Sequence, residues 1–215
     1  KQKTAYEIGV RLVGSEMCIR DSGYDIHAEG LIIPPIKIYD RGVERSDVLE
    51  LIWNNVRFPE GVKIDNYALM AGLTVGEKRI HSLLDKYGKE SVLNCVEEML
   101  DRMEVNVRAT ITEIPDGTYF GESATDDDGT TLDEQVWVRC EATIAGDEMT
   151  LDFTESDDQR TGFVNCVLAS TYSRAVAGSF LFFDPEYSPF HNAGSMRPIT
   201  LIAPEGSVCN AQYPA

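Results

Sequence analysis

The sequence is short of the residues that most often announce chemistry. Its 215 residues hold three histidines, His27, His81 and His191, and no two share the H-E-x-x-H or H-x-H spacing of a metal site. Its five cysteines, Cys18, Cys95, Cys140, Cys166 and Cys209, are widely spaced, odd in number and without a C-x-x-C pair. That excludes a disulfide framework and a zinc-finger pattern, and it predicts reduced, mostly buried thiols in a cytoplasmic protein. Positive charge is scarce, with 19 Lys and Arg against 36 Asp and Glu and a formal net charge of −17. A basic nucleic-acid footprint is excluded, and so is attraction to an anionic membrane. The acidity itself reads as solubility. No apolar run reaches the roughly 18 residues that a membrane span needs. A G-x-S-x-G elbow, a Walker loop, a Rossmann glycine fingerprint and an internal repeat are all missing.

What is present is a globular composition, 43% hydrophobic and 26% charged. The length suits one large domain or two small ones. Pro34 and Pro35 forbid a helix in "EGLIIPPIKIYDRG", Glu29 to Gly42, and the surrounding apolar residues predict an extended, partly buried segment. Ser46 is placed to cap a short helix carrying Leu49 and Ile52, stopped by Pro59 and Gly61. Asp65 is placed to cap a longer one ending near Tyr87, with Gly88 just past it. Val92, Leu93, Val96, Met99, Leu100, Met103 and Val107 recur at helical spacing and predict a third helix towards Ile111 or Ile114. The period then changes to two. "TYFGESA", "VWVRCEATI" and "EMTLDFT" predict three antiparallel strands, with Val136, Val138, Cys140, Ala142 and Ile144 on one face. A helix over Leu168–Phe182 and a strand in "RPITLIAPEGSVCN" complete the pattern. The expected class is α+β, with N-terminal helices packed beside a mainly antiparallel sheet.

Two acidic clusters invite a metal reading. Asp126, Asp127 and Asp128 precede Gly129, but they lack the alternating ligands and distal Glu of a calcium loop and read as a hairpin turn. Asp152, Glu155, Asp157 and Asp158 sit at a strand end. They could serve as a general base or a metal ligand, though a solvated strand exit is the simpler reading. The loop "FHNAG" holds His191 on what a rigid scaffold would present.

The first 22 residues stand apart. Met17 to Ser22, "MCIRDS", can be encoded by ATG TGT ATA AGA GAC AGC, one reading frame of a transposon-derived sequencing adapter. Lys1–Ser22 is therefore expected to be a non-native leader.

Three stretches carry a resemblance: "EGLIIPPIKIYDRG", "IPDGTYFGE…DFTESDDQRTGFVN" and "PFHNAGSMRPITLIAPEGSVCNAQYPA". Together they resemble consecutive parts of the hydantoinase B/oxoprolinase family. Asn192, Gly194, Arg197, Pro198, Pro204, Gly206, Asn210 and Pro214 fall on its pattern, and the likeness runs from about Tyr24 to Ala215. It implies the B-type subunit of an ATP-dependent enzyme that opens hydantoin, 5-oxoproline or lactam rings. It also implies an A-type subunit that binds ATP, and a divalent metal in the complete protein. A ketone carboxylase subunit and a non-catalytic assembly module are the alternatives. Family motifs resembling N-D-P-Y-x-G-G-T-H-x-x-D and H-H-A-D-x-G, which would hold the metal, have no counterpart before Glu29, and His27 does not fit them. Residues 23–215 are accordingly expected to be the central part of such a domain, mainly helical over 23–114, with strands and one helix over 115–215. His191, Asn192 and Arg197 are the candidates for a wall of the site or a structural clamp. Arg197 is suited to hold a phosphate or carboxylate bidentately, or to tie a loop down.

Overall fold

The computed structural model describes residues 31–179 and 190–213. The chain divides into two compact units, one ending at Asp85 and the other running Lys86–Tyr213, so the boundary falls in the last turn of a long helix.

In the first unit, β1 (Tyr39–Asp40) and β2 (Val43–Glu44) form a two-strand hairpin. Its turn is Arg41-Gly42, both with positive φ, the geometry that two-residue hairpin loops favour. Leu31, Ile32, Ile33 and Ile36 stand exposed, so the segment around Pro34 and Pro35 is not partly buried as expected. Helix α1 spans Ser46–Trp53. Ser46 is its first residue rather than its cap. Arg45 takes that position, and its guanidinium holds Asp47 at 3.0 and 2.7 Å. Asn54 closes the helix. Pro59 stops nothing; it opens α2 (Pro59–Tyr87), where its fixed φ suits the first helical turn and its missing N–H costs nothing. The helix therefore starts six residues before Asp65. Within the unit, Trp53 is buried against Tyr67, with ring centroids 5.9 Å apart, and Tyr67 reaches Glu44 at 3.4 Å.

Gly88, at φ +79°, ends α2 in the left-handed region expected of it. Helix α3 (Lys89–Thr112) follows the predicted stripe, but only its C-terminal half, Met103, Val107 and Ile111, is buried. These three residues pack on a four-stranded sheet of order β3-β4-β5-β6. β3 (Gly117–Thr125), β4 (Val136–Ala145) and β5 (Glu148–Asp152) form the expected antiparallel meander. β6 (Ile199–Ile202) joins β5 in parallel, Met149 opposite Ile199. A parallel partner requires a crossover, and the chain between β5 and β6 contains α4 (Leu168–Ser179). The core is Val136, Ile144, Met149, Leu151, Phe153, Ile199, Val208 and Cys209 over the three α3 residues. Val138, predicted to share the buried face, is 38% exposed. Of the four cysteines among the described residues, all free, only Cys209 is buried. The expectation of mostly buried thiols is thus corrected. Cys18 and Lys1–Ser22 lie outside the described residues, as do Phe182 and Pro185.

Candidate functional site

The second and third family-like stretches, far apart in sequence, are interlocked in the second unit. β5 pairs with only half of β4, so Val136–Cys140 needs another partner. The loop after β5 supplies it with side chains as well as backbone. Trp137 donates its N–H to Asp157 Oδ2 at 3.0 Å, and Arg139 N–H donates to Ser156 Oγ at 3.0 Å. The Ser156 hydroxyl donates back to the Arg139 carbonyl, and Asp157 N–H to the Trp137 carbonyl. The ladder is continued in this way without a regular strand. Beyond it, Gln159 N–H donates to Gly206 O and Val208 N–H to Asp157 O, with an isolated bridge between Asp158 and Ser207. Gly206, at φ +84°, makes the turn that returns this segment. Thr171 on α4 donates its hydroxyl to Cys209 O at 2.6 Å, fixing the same segment from the other side.

Asp157 is the hub. Its carboxylate takes Arg139 at 3.2 Å and Arg160 at 3.2 Å, and Arg160 also holds Glu134 at 2.7 Å. Burial of Asp157 works to raise its pKa. The Trp137 N–H and the two guanidinium groups outweigh that and hold the carboxyl below its ordinary value. An ion-paired carboxylate held this way is a poor general base, and it is not the solvated strand exit that the sequence suggested. Asp152 accepts from Thr154 N–H in a local turn. Among the described residues, no group of three or more His, Cys, Asp and Glu side chains is arranged to hold a metal ion. The acidic cluster does not fit the divalent metal of the resemblance, because Asp157, its most enclosed member, is already neutralised by two arginines. The Asp126–Asp128 turn is a turn. Asp128 Oδ1 accepts from Thr131 N–H, the Thr130 hydroxyl and Thr130 N–H, which lower its pKa despite burial.

The candidates His191, Asn192 and Arg197 come together around a 3-10 turn, Ala193–Met196, that docks on α3. The Asn192 side chain accepts from Gly194 N–H at 2.8 Å and donates to the Met99 carbonyl at 3.2 Å. Gly194 is needed here because a Cβ would run into the Leu100 carbonyl of α3. Arg197 reaches Asp101 at 2.7 Å and Glu104 at 3.1 Å, with Glu97 at 3.8 Å. Glu104 in turn holds Arg108, which also meets Asp147 and Glu148 in the β4–β5 turn. Arg197 lowers the Glu104 pKa most, Arg108 next. His191 Nδ1 lies 3.3 Å from the Ser195 hydroxyl, and burial pushes the imidazole pKa down, so it is neutral at pH 7. Ser195 is fully buried and its hydroxyl belongs to the capping box of the turn. The pair therefore lacks the accessible nucleophile of a hydrolytic dyad. Arg197 ties the loop to helix carboxylates rather than to backbone carbonyls. Sequence reading missed Arg139 and Arg160. Only Arg160, three residues from Asp157, left a local signal, whereas the Arg139 pair spans 18 residues.

The comparisons with known proteins run over most of the chain. The hydantoinase B/oxoprolinase model matches residues 7–215, starting earlier than Tyr24, inside the Lys1–Ser22 stretch. The beta subunit of caprolactamase from Pseudomonas jessenii is 34% identical over 192 residues, 89% of this chain and 32% of that protein. The B-type subunit of a putative D-/L-hydantoinase from Pseudomonas sp. (strain NS671) is 31% identical over 217 residues, 97% of this chain and 36% of that protein. The crystal structure of the ATP-dependent caprolactamase from Pseudomonas jessenii superposes with a TM-score of 0.84 at 32% identity, covering 95% of this chain and 35% of that one. A nucleotide-free acetone carboxylase structure gives a TM-score of 0.73 at 19% identity over 87% of this chain and 26% of that one, a likeness of fold alone. This chain spans about a third of the length of the first two of these relatives. With nearly every residue inside the family match, the chain belongs to the hydantoinase B/oxoprolinase family.

Proposed function

We propose that the chain is part of the B-type subunit of an ATP-dependent cyclic-amide hydrolase, working in the cytoplasm with an A-type subunit that binds ATP. The observation that carries this reading is the 34% identity to the caprolactamase beta subunit, sustained over 89% of the chain. In this reading ATP phosphorylates the amide oxygen and leaves as ADP. Water adds to the activated carbon, the ring C–N bond breaks as the amine takes a proton and leaves, and a second water hydrolyses the resulting acyl phosphate to the acid and phosphate. A divalent metal held by residues N-terminal to Glu29 would polarise the oxygen or the water. The second unit contributes a scaffold whose loops are pinned by the Asp157 and Arg197 ion-pair networks. A ketone carboxylase has only likeness of fold in its favour, at 19% identity. An assembly module without chemistry would retain the same scaffold.

The test uses the complete gene expressed with its A-type partner. Supplied with ATP, a divalent metal and caprolactam, hydantoin or 5-oxoproline, the complex should release the ring-opened acid and ADP together. Absence of turnover on all three, with ATP consumption that instead requires bicarbonate and a ketone, would select the carboxylase. We propose further that Lys1–Ser22 is not native. An uninterrupted genomic read through Arg11–Tyr24, in keeping with the family match from residue 7, would overturn this.

A further inference from the structure

We draw no further inference here: the strongest candidate, the unburied apolar surface of helix α2 around Leu69, Leu73 and Ile80, carries none, because the chain spans about a third of the length of the relatives it matches and nothing in the structure shows what covers it.

Discussion

Ile111 on α3 and Leu73 on α2 are both aliphatic residues on a helical stripe, yet Ile111 is fully buried and Leu73 is 67% exposed. The same contrast divides the two units. The second unit closes a core around Met103, Val107 and Ile111, with a sheet on which to lay them. In the first unit burial among the described residues stops at Leu49 and Trp53, and its long helix buries nothing. Apolar periodicity states that a helix has a face; it does not state what meets that face. A single helix makes the point within itself, because α3 buries its stripe only from Met103 onward while Leu93, Val96 and Met99 stay exposed. Where the sheet ends, so does the burial.

Substitution can sharpen this contrast. Ile111→Ala should cost about 2–5 kcal/mol, read as a lowered denaturant midpoint at unchanged slope, because it opens a cavity in a closed core. Leu73→Ala should change the unfolding of the monomer by no more than about 0.5 kcal/mol. Equal losses at the two sites would erase the distinction between the units. Next in size is Gly194→Ala. The new methyl meets the Leu100 carbonyl, so the 3-10 turn must move off α3, for about 1–3 kcal/mol and faster amide exchange over 190–198.

Asp157→Asn comes third. It leaves Arg139 and Arg160 without their shared carboxylate, and because these side chains keep partial contact with water the loss should be about 1–2 kcal/mol. Arg197→Ala should have the smallest effect on global stability, since two of its partners, Glu97 and Asp101, are largely solvated and Glu104 keeps Arg108, but it should loosen the Ala193–Met196 turn in hydrogen exchange.

A pH titration gives a further handle on the second unit. Asp157, Asp128 and Glu104 all have folded-state pKa values held below the ordinary ones. The unfolded chain therefore binds more protons, and the stability these groups contribute is present above the ordinary carboxylate range and lost as pH falls through about 4 and below. His191 acts in the same sense at higher pH. Burial lowers its pKa, so stability declines as pH falls below its ordinary value near 6.5. In His191→Gln the decline that begins near 6.5 should flatten, while the acid limb remains.

Much of the second unit was legible in order. The alternation in "VWVRCEATI" put Val136 and Ile144 inward, and both are buried. Gly88 was readable as a helix end because positive φ is a local property that only glycine meets cheaply. The boundary errors were local as well. Ser46 and Asp65 are good caps by residue type, but an Arg45–Asp47 pair and a proline already in first-turn geometry displaced them. The candidate site was less legible. His191, Asn192 and Arg197 were identified together, but the partners of Asn192 and Arg197 on α3 lie more than 90 residues away in the chain. Asp157 read as one acid among four. Its neutralisation by Arg139 depends on β4 lying beside the loop that follows β5.

By itself the sequence determined the kinds and order of the elements, the inward faces of the meander and the glycine turns, because periodicity and φ preference act over a few residues. Only the tertiary structure decided that β6 joins β5 in parallel, that half of α3 is core and half surface, and that Asp157 is a clamp rather than a base. Each of those depends on which distant segments meet. Burial and ion pairing are properties of the assembled neighbourhood, not of the residue that carries the charge or the methyl group.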